Sequence, residues 1–430
     1  MDFQNLTKIL LELGNNVYIK FEPEILDFTD KDFVFDILIF SQEKKISLTI
    51  DNQQKLLMFL EIAKLTIFAE GNKILTWNWK NFVSFILGRL HISPKISSGL
   101  IDLKIVESYF GIKRNAPTGF IEALNRVKER LADGSWQKFQ DIYKKIYIPL
   151  ATEVIPELET IGILNNQKVH AYYEINGQEN GRLLCSNVYQ KGFIPHNLSL
   201  ENKRELKPLN YDQIFMYFDF RSMEVNVLAN LSGDEKLLEL CQKNDVYSSI
   251  YEEITKSPCE NRNKSKKIFL PVIYGQSAKA LSESLNVSFE IAQNLISRIQ
   301  EIFPKAINYV INFQEKLKEN GFIEDFFGKK RIFNEGKEYR ARNFAIQSPA
   351  SLICLEKLVS LYYNSKPARL AYHVHDGYMI YATKENWKEI FEKSYNCLTS
   401  ESEICPGLRL KVSCLAGRDL CNLKKISKKD

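Results

Sequence analysis

An apolar run from Ile214 to Phe218 ends in an acid, Asp219, and a second β-rich run starts just after another, in His373-Val374-His375-Asp376. A short apolar run of this kind is a buried strand, so Asp219 emerges at the strand's edge, where a metal ion can reach it. The later segment is a hairpin that lifts Asp376 to its tip. Between them, Arg262-Asn263-Lys264-Ser265-Lys266-Lys267-Ile268-Phe269-Leu270-Pro271-Val272-Ile273-Tyr274-Gly275 reads as a helix. At about 3.6 residues per turn, Arg262, Lys266 and Leu270 stack on one side and Tyr274 lies a turn further on, a surface suited to gripping a triphosphate. Two facing carboxylates could hold paired Mg²⁺ ions, one activating an attacking 3′-hydroxyl and the other neutralising a leaving pyrophosphate.

These segments resemble the A, B and C motifs of family A DNA polymerases, the DNA polymerase I-like enzymes. Leu228-Ala229-Asn230-Leu231-Ser232-Gly233-Asp234 follows the first as in the family, and Gly321 to Arg331 is similar to its Gly-Tyr-x-x-Thr-x-x-Gly-Arg-Arg-Arg element. Asn343 and Gln347 fit its Asn-x-x-x-Gln element, and Gly181-Arg182-Leu183 with Phe193-Ile194-Pro195 fits the stretch that enters the palm. The resemblance implies a template-directed DNA polymerase that extends a primer by two-metal chemistry. Asp219 and Asp376 would be the catalytic and metal-binding acids, for two Mg²⁺ ions or Mn²⁺ in their place. Arg262, Lys266, Leu270, Tyr274 and Glu224 would bind the incoming deoxynucleoside triphosphate, with Glu224 closing off the sugar's 2′ position. Arg182, Lys329, Lys330, Arg331, Asn343, Gln347 and His375 would contact primer-template DNA. Position 377 departs from the family, which has Glu where this chain has Gly377. Leu270 stands where an aromatic ring is usual, and Pro271 after it removes a backbone donor.

At 430 residues, 45% apolar and 26% charged, the chain has the size and composition of a multidomain globular protein. A net charge of +5 is too small for a globally basic surface, so any nucleic-acid contact is local, as at Lys264/Lys266/Lys267 and Lys329/Lys330/Arg331. The eight cysteines form no Cys-x-x-Cys pair, and neither a secretory segment nor an apolar run near membrane-spanning length stands out. The expectation is an intracellular, cytoplasmic protein of cellular, viral or phage origin, with reduced thiols and no membrane partner.

Residues 1–115 alternate β-rich and helical stretches, an α/β layer in its own right. Its order is similar to the family's RNase H-like 3′–5′ exonuclease domain, with most metal-binding acids gone: Lys20 replaces the first, Glu22 remains, and Phe82 stands at the third. Lysine and phenylalanine cannot ligate Mg²⁺, so this domain is expected to be degenerate and not to proofread. Residues 116–168 read as a helical connector, with a helix from Phe139 to Leu164 and little left of a thumb; residues 169–430 read as palm and fingers, the fingers at about 235–320. The fold class expected is a multidomain α/β and α+β chain, an exonuclease-type domain joined to a right-hand palm and fingers with minimal thumb. A reduced thumb implies low processivity, or a partner that restores it.

Each residue also has a plainer role. Asp219 could cap a turn, Asp376-Gly377 could simply be a hairpin turn, and the cation row could be a solvated helix face. His373, Cys185 and the tryptophans are expected to be packing or capping residues. Two rival functions follow: a non-catalytic DNA-binding protein descended from a polymerase, which Leu270, Pro271 and Gly377 favour, and a single-subunit RNA polymerase, which Glu224 opposes.

Overall fold

The computed structural model describes residues 3–13, 16–30, 32–92, 99–132, 134–189, 194–259, 262–333 and 339–427, so Phe193, and the side chain of Lys264, lie outside the description. The chain divides into two compact units. The first comprises Met1–Asp219, Leu355–Cys397 and Ser413–Asp430; the second, Phe220–Cys354 and Leu398–Val412.

The first unit opens with five strands, β1 (Asn16–Glu22), β2 (Phe35–Phe40), β3 (Lys45–Ile50), β4 (Lys73–Thr76) and β5 (Gly99–Asp102), in the sheet order β3-β2-β1-β4-β5. β1 runs parallel to β4, and β4 to β5, whereas β2 and β3 are antiparallel neighbours. Because side chains alternate along a strand, Val17, Ile19 and Phe21 enter one core with Phe59, Trp79 and Phe82, while Tyr18 enters another with Leu38, Phe40, Leu75 and Trp77. Phe82 is fully buried and its ring stacks on Phe21 at 4.1 Å between centroids. Removing such a ring from water is worth about 1.5–3 kcal/mol. Lys20 pairs with Glu22 at 2.6 Å, both on the same face of β1.

The expected helix from Phe139 to Leu164 stops at Leu158. Thr160–Leu164 is instead a strand paired with Gln167–His170, and Asn165 and Asn166 both take positive φ (49° and 60°) at the turn between them. Two left-handed residues in a row are what a tight type I′ hairpin requires, and asparagine tolerates them. The glutamate just beyond the helix, Glu159, is wholly buried. It meets Lys80 Nζ at 2.7 Å and accepts hydrogen bonds from the Tyr189 hydroxyl and the Tyr173 amide.

A second sheet in this unit has the order Arg369–Val374, Gly377–Thr383, Gln213–Phe220, Val412–Gly417, Lys424–Ile426. His373 packs within it, buried, with its ring stacked on Tyr378 and Nδ1 at 2.9 Å from the Gly377 carbonyl. That is the packing role expected of it.

The second unit is helical around one core that includes Leu228, Leu237, Ile250, Phe269, Ile299, Phe303 and Val310. Its helices carry ordinary start signals: Asp234, Ser277 and Ser288 each accept a backbone N–H from the first turn that follows. The 25-residue helix Arg340–Asn364 is long and apolar enough to cross a membrane, contrary to the sequence expectation, and most of its apolar stretch is buried inside the protein. None of the eight cysteines forms a disulfide.

Candidate active site

Along Gln213–Phe220, Phe218 and Phe220 are buried and the alternate Tyr217 and Asp219 are less so. Period-two alternation therefore puts the tyrosine and the acid on one face. Asp219 lies opposite Gly377 in the antiparallel pairing of Gln213–Phe220 with Gly377–Thr383. Val374 also pairs with Gly377 across the hairpin, which leaves His375 and Asp376 as its two turn residues. The left-handed φ falls on His375 (53°), not on Gly377. The plainer reading of Asp376-Gly377 as the turn dipeptide is thereby corrected: the turn is His375-Asp376, and it sets Asp376 beside the end of the strand that carries Asp219.

Gly377 is needed for space. A Cβ there would lie 2.2 Å from the Tyr217 hydroxyl and 2.5 Å from its Cζ. The same hydroxyl donates to Asp219 Oδ1 at 3.3 Å. Burial, then the neighbouring Asp219, and further down Asp376, raise the Tyr217 phenol pKa, so it stays a protonated donor. Arg182, expected on DNA, stands at Asp376, with Nη2 3.6 Å from Oδ1. Among the described residues no group of three or more metal-capable side chains occurs. The pair Asp219 and Asp376 nonetheless suits Mg²⁺, a hard cation that takes one or two carboxylates and completes its shell with water and substrate phosphate.

In the second unit, the helix Arg262–Ile273 runs through Pro271 before ending. Lys266, Leu270 and Tyr274 line one open pocket with Asn263, Lys267 and Pro271. Arg262 is turned elsewhere: its Nε meets Asp245 at 3.0 Å and its guanidinium lies over the Tyr247 ring. Tyr274 donates its hydroxyl to Glu224 Oε2 at 2.6 Å and also bonds Gln347. Glu224, Tyr274 and Gln347 thus form one connected group. Burial, then Glu224, push the Tyr274 phenol far up and keep its proton in place. Asn343 Oδ1 is buried with no hydrogen-bond partner among the described residues. Arg342, which the sequence did not single out, lies against Gly275, where a Cβ would meet its guanidinium at 3.1 Å.

Lys329 corrects an expectation. It is only 5% exposed, and burial lowers its pKa to about 8. Beside it Asp325, whose charge raises the Lys329 pKa against that burial, is a buried carboxylate that accepts the amides of Phe327 and Lys329 and the Ser348 hydroxyl. It ties the loop between Phe322–Glu324 and Lys330–Ile332 inward and takes Lys329 with it. Lys330 and Arg331 remain half-buried, over the rings of Phe322 and Phe333 respectively.

The family model described as DNA polymerase family A matches residues 122–421. DNA polymerase theta of Caenorhabditis elegans is 26% identical over 294 residues, which cover 66% of this chain and 18% of that protein. The thermostable DNA polymerase I of Thermus aquaticus is 30% identical over 190 residues, 40% of this chain and 23% of that one. The chain therefore spans less than a third of either relative. Among solved structures, the POL domain of Pol1 from M. smegmatis, in complex with DNA primer-template and dNTP, superposes with a TM-score of 0.74 at 13% identity, covering 98% of both chains.

Proposed function

The chain belongs to DNA polymerase family A, and from that premise we propose that it is a template-directed DNA polymerase that adds deoxynucleotides to a primer 3′ end. The observation that carries the proposal is the strand register. Asp219 lies opposite Gly377, so the two acids sit at the same end of adjacent strands. These acids would hold Mg²⁺, or Mn²⁺ in its place, which when bound activates the 3′-hydroxyl and neutralises the leaving pyrophosphate. Lys266, with Arg262 if it leaves Asp245, binds the triphosphate, and Tyr274 and Leu270 meet the nascent pair. Glu224, fixed by the Tyr274 hydroxyl, crowds a 2′-hydroxyl and selects deoxynucleotides. Arg182, Lys330, Arg331, Asn343, Gln347 and His375 hold primer and template. The complex of the M. smegmatis domain with primer-template and dNTP supports these as the substrates.

In the same reading, residues 1–115 are an RNase H-like domain that has lost exonuclease chemistry, 116–168 a connector with a vestigial thumb, and 169–430 palm and fingers, with the fingers at about 235–320. Sheet order β3-β2-β1-β4-β5 and the burial of Phe82 in the core support it. The test is primer extension on a defined template in Mg²⁺, with each nucleotide class in turn. Asp219→Asn and Asp376→Asn should each abolish extension while leaving DNA binding, read by gel shift, largely intact; substantial extension by either variant rules the assignment out. Neither the wild type nor Asp219→Asn should shorten a mismatched primer, even in Mn²⁺.

A further inference from the structure

The packing of the Tyr217 ring against Gly377 has no part in the chemistry described so far. Tyr217 sits two residues before Asp219 on the same strand face, and its ring fills the volume above the Gly377 Cα so completely that a methyl group would lie 2.2 Å from the hydroxyl. A glycine whose φ is not left-handed and which packs under a ring is a requirement of space, not of backbone conformation. The hydroxyl so placed donates to Asp219 Oδ1. Each acid thus has a partner from its own unit: the Tyr217 hydroxyl donates to Asp219, and the Arg182 guanidinium forms an ion pair with Asp376.

We propose that Tyr217 is a positioning residue for the polymerase reaction: its hydroxyl, admitted by the absence of a side chain at position 377, fixes the Asp219 carboxylate in the orientation that receives the metal. The inference rests on the polymerase reading of Asp219. A neutral phenol donor fixes the orientation of the carboxylate toward a cation without adding a third negative charge to the site. A carboxylate without that donor rotates about its terminal torsion, which is broad, and presents a less ordered ligand. Positions 217 and 377 are therefore coupled: a side chain at 377 forces the Tyr217 ring to move.

The experiment measures Mn²⁺ binding to the full chain by electron paramagnetic resonance, alongside steady-state primer extension and thermal melting. Tyr217→Phe keeps the ring and removes the hydroxyl. It should weaken Mn²⁺ binding about fivefold and lower kcat about tenfold, with KM for the nucleotide within about twofold and an unchanged melting temperature. Gly377→Ala should weaken Mn²⁺ binding similarly and also lower the melting temperature. Adding Tyr217→Ala to it should lower the melting temperature less than Tyr217→Ala lowers that of the wild type, without restoring the metal affinity, a non-additive cycle. Loss of Mn²⁺ binding in Asp219→Asn with wild-type affinity in Tyr217→Phe would overturn the positioning role alone. Absence of Mn²⁺ binding and extension in the wild type would overturn the polymerase reading and this inference with it.

Discussion

Glu224 and Tyr274 are fifty positions apart in sequence and 2.6 Å apart through a hydroxyl and a carboxylate oxygen. Because the tyrosine holds the acid still, the 2′ barrier proposed for Glu224 should depend on both. Glu224→Ala should therefore raise ribonucleotide incorporation relative to deoxynucleotide by tenfold or more, roughly the worth of one or two well-placed contacts. Tyr274→Phe should give a smaller rise in the same direction, both read from kcat/KM for matched nucleotide pairs. Lys329 carries a prediction of a different kind. Burial holds its pKa at about 8, whereas a solvated lysine titrates near 10.4. Between those values the unfolded chain binds a proton that the folded chain has released, so this group makes stability rise with pH across that window. The urea midpoint of wild type relative to Lys329→Met should accordingly increase between about pH 7.5 and about pH 10. The two acids were legible in the sequence because each adjoins a β-rich run. The fate of Lys329 was not, because three adjacent cations look alike until Asp325 is seen to draw one of them inward. Nor did the sequence reveal why glycine stands at 377, since the cause, the Tyr217 ring, lies on another strand.

Elements were legible where a local period or capping residue governs them, and less so where a turn decides. The apolar run before Asp219 and the cationic helix could be read directly, for example, because period-two and 3.6-residue patterns survive in any context. The helix expected to reach Leu164 breaks earlier. Apolar content persists through Thr160–Leu164 as it would in a helix, and only Asn165-Asn166 betrays the hairpin. The break is anchored by Glu159, whose carboxylate joins the Lys80 ammonium of the Trp79–Leu90 helix to the Tyr173 amide and the Tyr189 hydroxyl. Lys80 also lies over the Tyr172 ring at 3.7 Å. Both members of the pair are almost wholly buried, so removing one leaves an uncompensated charge in the interior. Lys80→Met should cost about 3–5 kcal/mol. Circular dichroism melts or denaturant titrations would detect that loss, and an exposed ion pair such as Lys20 with Glu22 should give well under about 1 kcal/mol when broken. A Lys80→Met protein as stable as wild type would mean that the interior accommodates Glu159 without its partner at no cost.

At the scale of the whole molecule the informative feature is what lies between the connector helices and the strands that follow. Leu158 is separated from the Gln167–His170 strand by Glu159, a five-residue strand and an Asn-Asn turn. In the proposed polymerase this is where a thumb would lie along the duplex, and a thumb grips by phosphate contacts that carry no sequence information. Each such contact contributes a counterion-release term of roughly 0.9 to the slope of log affinity against log salt. Few contacts therefore predict two linked behaviours: weak duplex binding and a shallow salt dependence. Synthesis should be distributive, with one or a few nucleotides added per encounter when excess unlabelled DNA traps released enzyme. Leu270 should act separately, on fidelity, by presenting no aromatic ring to the incoming base, so Leu270→Phe should lower misincorporation without lengthening the products. A protein that wraps the duplex in place of a thumb should lengthen products and steepen the salt dependence together. The two readouts separate the explanations, because long products from the isolated chain with a shallow salt slope would point to a topological hold on DNA, whereas long products with a steep slope would place the missing phosphate contacts elsewhere in this chain, with residues 1–115 the first region to truncate or neutralise.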